Sequence, residues 1–408
     1  MRAVFINHCH PDTSHVCALR VTSFAKVLAS QGHQIILFSE TLSVTDPGQD
    51  PATLAGELSG HDWATPFVVA VRPAADPLLP RLRSGRLPPV VRQAVIAGYY
   101  LFRSGLFGDW RRAAVPHLTV ISRSFRPQVI WASFGNSDVW NIARDLSAIA
   151  ECPWVADIKD NWQNFIPYGL RKLLSRRYHD AVAMTTFSNC QRDEAAQWFG
   201  QTKSTVYSGY DLTAADRSTV TDSPRFKLVL TGSIYSRQHL QTISDALASF
   251  LRAHRNFRKT PMLFVYAGSD GAQVSDALRT LGDDCEQQIY GYLPMDDLRH
   301  HQQTASLNLY IRKPGKFIFH HKLIELLAAG KPILCFPEEI DEARRIADEV
   351  GGVLYSCATQ ADIKAVLTQS MDREASAGMN RAIDTYSWQG QSVILEKVLA
   401  DARRTPCR

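Results

Sequence analysis

Glu325 stands three residues into the segment Lys322–Pro332, read KLIELLAAGKP. The segment predicts a helix opening at Lys322, a Gly330-Lys331-Pro332 turn at its end, and a buried strand, Ile333-Leu334-Cys335-Phe336. A carboxylate in the first turn of a helix is placed to accept hydrogen bonds from a sugar diol, and N–H groups at that end suit a phosphate. The same pattern also describes an ordinary amphipathic helix docked on a sheet, with Glu325 serving only the helix dipole.

Other phosphate-compatible residues precede it. Gly232-Ser233 follows the strand-like KLVLT and leads into a helix expected over His239–Leu251. With Arg237 and Gln238 beside it, such a turn can hold a diphosphate through backbone N–H groups and a guanidinium. Gly268, in YAGSDG, ends the next strand in the same manner. Lys313 and Lys316, in YIRKPGK, are either diphosphate partners or a solvated loop, and Lys322 joins them as a donor-binding candidate.

Asp157 and Asp160, in WVADIKDNW, stand directly after a strand. Two carboxylates at that spacing serve as an acceptor clamp or proton acceptor, or else as an N-cap and a turn aspartate. Asp160 is the chemically interesting one if it faces a ligand. The first loop, His8–His15, holds three histidines and no glycine. The GxGxxG dinucleotide fingerprint is therefore absent, which argues against an NAD enzyme. With no Cys or Glu cluster nearby to complete a coordination set, no metal site is expected.

The elements that must position these residues repeat one rhythm twice. Strands are expected at Ala3–Asn7, Gln34–Phe38, Phe67–Val71, Val129–Ala132, Trp154–Ala156, Ala183–Phe187 and Thr205–Tyr207, then at Lys227–Leu230, Leu263–Ala267, Gln288–Tyr290, Ser306–Tyr310, Pro332–Phe336 and Gly352–Leu354. Short apolar strands alternating with helices imply α/β architecture: two Rossmann-like, doubly wound parallel-sheet domains facing a cleft. The polar stretch LTAADRSTVTDSPR reads as a linker. The expected division is 1–212, a linker at 213–225, a second domain at 226–385, and a C-terminal helix within 386–408 that could return to the first domain.

At 408 residues, 45% hydrophobic and 21% charged, the chain has the composition of soluble globular domains. Eight cysteines without a CxxC pair favour a reducing compartment. No signal peptide is evident, and the longest apolar stretch, Gln93–Phe102, is too short to span a bilayer, so a cytoplasmic location is expected. The net charge of +5 is uneven: between Arg72 and Arg126 lie ten arginines against two acids, Asp76 and Asp109. Tyr99, Tyr100, Phe102, Phe107 and Trp110 are interleaved with them. Such a segment suits an anionic membrane surface, a solvated helical face or a phosphate cleft. No nucleic-acid module accompanies it.

The ordered set of segments resembles glycosyltransferases of the GT-B fold, family 4, over nearly the whole chain. ALRVTSFAKVLASQGHQIILFS is similar to that family's first helix and "GH" turn, WVADIKDNW to its D-x-x-D-x-W element, and VYSGYD to its N-G-x-D, with Ser208 in place of Asn. LVLTGSIYSRQHLQTISDA, FVYAGSDG, IYGYLPMDDL and KLIELLAAGKPIL resemble its donor domain. The resemblance implies retaining, metal-independent transfer from a nucleotide diphosphate sugar, with no cofactor. Glu325 would hold the ribose, Arg237 would neutralise the diphosphate, and Asp160 would line the acceptor side. Two departures stand out: Phe317 replaces the first glutamate of the family's E-x7-E pair, and the glycine pair of the first loop is missing. The basic segment 72–126 suggests a lipid-linked or polysaccharide acceptor at the inner face of the plasma membrane. A nucleotide-sugar 2-epimerase of the same fold, or a non-catalytic nucleotide-binding subunit, are the alternatives.

Overall fold

The computed structural model describes residues 1–13, 15–75, 78–103, 105–211, 223, 225–313, 319–371 and 381–405. Lys316, Phe317 and nearly all of the expected linker lie outside them. The chain forms two compact units, Met1–Ser208 with Trp388–Arg408, and Gly209–Ser387.

The first unit holds seven strands: β1 (Arg2–Ile6), β2 (Gln34–Glu40), β3 (Phe67–Val71), β4 (Val129–Ser133), β5 (Trp154–Ile158), β6 (Ala183–Thr186) and β7 (Lys203–Thr205). They pair in the order β3-β2-β1-β4-β5-β6-β7, every pairing parallel. The second unit holds β8 (Lys227–Thr231), β9 (Met262–Ala267), β10 (Cys285–Tyr290), β11 (Leu307–Ile311), β12 (Ile333–Phe336) and β13 (Leu354–Ser356). Their order is β10-β9-β8-β11-β12-β13, again parallel throughout. Each expected strand has its counterpart. The largest differences are at β7, β10 and β13, where pairing with a neighbour sets the ends: Leu354 is held opposite Ile333, and Cys285 opposite Met262.

In each sheet the order reverses direction once, between β1 and β4 and between β8 and β11. Open α/β sheets bind ligands outside the carboxyl ends of the strands at such a reversal. The loops that leave β1 and β4, and β8 and β11, are therefore the places to look. Central strands β4, β5, β8 and β11 are buried along their full length, as parallel strands covered by helices on both faces require.

The helix Trp388–Arg403 packs in the first unit. Trp388 meets Phe24 edge-on at 5.2 Å, and Leu395 and Leu399 are buried with Phe24, Leu28 and Trp131. Each such side chain contributes roughly 1.5–3 kcal/mol by leaving water. Gln391 accepts the Tyr207 N–H at 2.8 Å, and His33 Nε2 lies 2.8 Å from Glu396 Oε1.

The basic segment forms the helices Leu78–Arg83, Pro89–Arg103 and Gly108–Val120. Arg111 grips Asp145 with two hydrogen bonds of 2.6 and 2.7 Å, and Arg83 pairs with Asp109. Along Pro89–Arg103 only Tyr100 is buried, while Val90 and Phe102 are 82% and 84% exposed. No helix among the described residues is long and apolar enough to cross a membrane.

Candidate functional site

In the second unit the two glycine turns lie against each other. Gly232 leaves β8 with φ +83°, a left-handed conformation that glycine adopts without strain. Its N–H donates to the Ala267 carbonyl at 2.7 Å, and its own carbonyl accepts from the Tyr266 hydroxyl at 2.8 Å. A methyl group at Gly268 would lie 2.5 Å from both that carbonyl and that hydroxyl, so this position too excludes a side chain. Asp270 continues the network, donating its N–H to Tyr266 and accepting the Ile234 N–H at 3.0 Å.

Lys322 joins this turn: a methyl group built on Gly232 would fall 2.6 Å from Lys322 Nζ. Burial pushes this ammonium down to about 8, although Glu325 pulls the other way. A cation so short of water gains strongly from an anionic ligand. Glu325 lies one turn further along the helix Lys322–Ala328, 3.1 Å from His321 Nε2. Burial pushes its carboxyl up, but His321, Lys322 and Arg299 outweigh that, and it sits below the usual range, ionised at neutral pH. The N–H groups of Leu323 and Ile324 already donate to the carbonyls of His320 and His321. The positive charge at this turn is therefore that of the Lys322 side chain, those amides being already engaged.

The remaining expected residues are more dispersed. Arg237 and Gln238 begin the helix Arg237–Ala253 and are exposed, and Ser236 caps that helix by accepting the His239 N–H at 3.2 Å. Lys313 Nζ lies 5.4 Å from the centre of the Tyr235 ring. Lys316 lies outside the described residues. Sequence patterns missed Tyr266, a strand residue that reads as core, and the buried pair Arg312–Glu339, 3.8 Å apart. Burial pushes the Glu339 carboxyl up to about 7, against the Ile340 N–H and the Arg312 and Arg344 charges.

In the first unit the two aspartates of WVADIKDNW part company. Asp157 is fully buried and saturated: Arg20 donates to it at 3.1 and 2.8 Å, and Ser133 and Thr185 donate at 2.7 Å each. It is a structural anchor, and Arg20 also donates to Ser208 at 3.2 Å. The cap of the next helix is Asn161, which accepts the Gln163 N–H. Asp160 is 36% exposed, with Oδ2 3.9 Å from Lys159 Nζ.

Around Asp160 the fold gathers residues that spacing had left apart. Cys17 Sγ lies 3.7 Å from Asp160 Oδ2 and 2.7 Å from Lys159 Nζ. Cys9 Sγ is 3.2 Å from His8 Nε2 and 3.8 Å from His15 Nδ1. The donor atoms of Cys9, His15 and Cys17 all fall within 4.8 Å of one another, a cluster the sequence reading did not anticipate. A hydrogen bond from Cys9 pulls the Cys17 thiol down to about 6 against the cost of burial, with Lys159 assisting. Burial pushes His8 down to about 4. Its ring lies so close over Gly135 that any side chain there would collide with it. His15 also caps the helix Val16–Ser30 by accepting the Cys17 N–H at 3.1 Å.

No family model and no curated sequence matches the chain. The likeness to known proteins lies in the fold. A structure of Anabaena HepE with UDP-glucose superposes with a TM-score of 0.54 at 13% identity, covering 99% of this chain and 97% of the other. A trehalose-6-phosphate structure from E. coli, bound with UDP-2-fluoro glucose, gives 0.60 at 10% identity over 100% of both chains. CalG4, the calicheamicin glycosyltransferase, gives 0.51 at 14% identity over 99% of both. The chain has the GT-B fold. In this GT-B chain the Gly232 turn leaves β8 and Lys313 follows β11, the two strands that flank the reversal of the second sheet.

Proposed function

We propose that this protein is a glycosyltransferase that takes a sugar from a nucleotide diphosphate donor and transfers it, with retention, to a lipid-linked or polysaccharide acceptor, in the manner of family 4. The observation that carries the reading is the Lys322–Glu325 helix against the Gly232 turn. A desolvated ammonium stands beside a glycine backbone, and an ionised carboxylate lies one turn further on. Lys322, with Arg237 and Lys316, meets the negative charge that develops on the departing diphosphate, so no metal is required at that point. Glu325 accepts the ribose hydroxyls. Gly232 and Gly268 let the phosphates approach the backbone, and Gln238 adds a polar contact. Asp160 lines the acceptor side.

The acceptor assignment rests on the helix Pro89–Arg103. Exposed Val90, Val91, Leu101 and Phe102 share it with Arg92 and Arg103, the composition of a helix that lies on an anionic bilayer surface. The protein would then work as a peripheral protein at the inner membrane face. The donor half of the reading, though not the acceptor half, accords with the UDP-sugar ligands of HepE and the E. coli structure.

Calorimetry with UDP and GDP on wild type and Glu325→Ala tests the donor site. One nucleotide should bind wild type and lose roughly 10-fold or more in Glu325→Ala, as removal of a charged hydrogen-bonding partner implies. Failure of both nucleotides to bind wild type overturns the reading. A donor screen scored by nucleotide diphosphate release, with and without lipid acceptor, then separates transfer from an epimerase, which would release a free epimerised sugar.

A further inference from the structure

We propose that Cys9, His15 and Cys17, with Asp160 as fourth donor, form a binding site for a thiophilic divalent cation, zinc above all. Two cysteines and a histidine are the ligand types that select zinc over magnesium or calcium. The spacing agrees with the chemistry. A tetrahedral ion with Zn–S of about 2.3 Å and Zn–N or Zn–O of about 2.0–2.2 Å sets its donors roughly 3.5–3.8 Å apart. Cys9 Sγ to His15 Nδ1 is 3.8 Å, and Cys17 Sγ to Asp160 Oδ2 is 3.7 Å; ligation through His15 Nδ1 releases the Cys17 N–H that this nitrogen otherwise accepts. The three Cys and His donor atoms fall within 4.8 Å of one another, so their closure onto an ion needs shifts of an ångström or less, whereas Asp160, which approaches Cys17 alone of the three, has to swing further to complete the set.

Lys159 Nζ donates to Cys17 Sγ at 2.7 Å, and a zinc-bound thiolate accepts such a hydrogen bond while remaining a ligand. Two thiolates and one carboxylate balance the ion together with the Lys159 ammonium, leaving the assembly neutral. His15 is exposed while Cys17 is buried, which gives the ion an entry path from solvent into a partly enclosed set. His8, whose Nδ1 is buried without a partner and whose Nε2 lies 3.2 Å from Cys9 Sγ, borders the cluster.

The site clamps the loop after β1, the start of the helix Val16–Ser30 and the loop after β5, at the ligand-binding edge of the first sheet. It stands independently of the donor site in the second unit.

The full-length protein, kept reduced and stripped with a chelator, is titrated with Zn²⁺ against a chromophoric competitor, and with Co²⁺ followed by absorption. One equivalent should bind, and Co²⁺ should show thiolate-to-metal charge transfer with tetrahedral d–d bands. Cys17→Ser should weaken zinc binding by about 100-fold or more, and Lys159→Met by roughly 10-fold as an outer hydrogen-bond partner. His15→Asn retains a helix-capping acceptor while removing the imidazole, so it keeps the test open should Cys17→Ser fail to fold. Absence of stoichiometric binding overturns the proposal. So does loss of binding in Cys152→Ser/Cys190→Ser, or undiminished zinc affinity in folded His15→Asn.

Discussion

Lys322→Met separates the function of the second unit from its stability. The ammonium falls from its usual 10.5 to about 8 because burial strips its water. At about 1.4 kcal/mol for each tenfold change in a protonation equilibrium, that drop is a folding cost of roughly 3 kcal/mol. Because the folded value lies below the unfolded one, the unfolded chain binds the extra proton between about 8 and 10.5. Wild-type stability should therefore rise with pH through that window, with the cost fully present below it. Methionine keeps the apolar stem and removes the charge. Glu325, whose carboxyl Lys322 helps to hold low, returns part of the gain, so the variant should be about 1–3 kcal/mol more stable at pH 7. Near pH 10.5 the two should converge. Affinity for the nucleoside diphosphate should move the other way, by roughly 10- to 100-fold, the worth of a hydrogen bond to a charged group. Urea unfolding at pH 7 and 10, with calorimetry on the same samples, reads both. A variant that is less stable at pH 7 while binding UDP and GDP as wild type does would refute both the desolvation argument and the phosphate role.

Other perturbations follow from buried charge. Burial raises Glu339 from 4.5 to about 7, so the folded state holds the proton more tightly, and its contribution to stability falls as pH rises between those values, by up to roughly 3 kcal/mol. Glu339→Gln should remove that slope and gain stability above pH 7, and parallel pH curves for the two proteins would contradict it. Glu40, also raised to about 7 by burial, keeps a slope of the same sign in the variant. Arg20→Met leaves Asp157 charged with only its hydroxyl partners, which should cost about 3–5 kcal/mol in denaturant unfolding. Adding Asp157→Asn should recover much of that loss, and no recovery would show that Arg20 acts through packing alone. Phe102→Ser with Val90→Ser should reduce flotation with anionic liposomes while leaving the unfolding midpoint within about 0.5 kcal/mol, as expected for exposed positions. Equal flotation of both proteins would remove the membrane assignment.

Periodicity carried the architecture. Apolar runs such as VIWA and KLVL are too short for a buried helix and are bounded by turn residues, which pointed to parallel strands buried on both faces. The Gly330 turn was equally legible, since a helix meeting Gly-Lys-Pro has few ways to continue, and Gly330 adopts φ +71°. Spacing along the chain could not say which of two similar aspartates reaches solvent. Asp157 is consumed by Arg20, 137 residues away in sequence, while Asp160 stays partly exposed beside Lys159 and Cys17. Nor could it bring Cys17 to Lys159, 142 residues away, or set Lys322 against Gly232. Those meetings depend on strand order, on the reversal between β1 and β4 and between β8 and β11, and local patterns do not encode which strands become neighbours. The residue types with chemical capacity were written in the sequence. Their charge states were decided by burial and by the charged and hydrogen-bonding partners set against it, both of which only tertiary packing imposes.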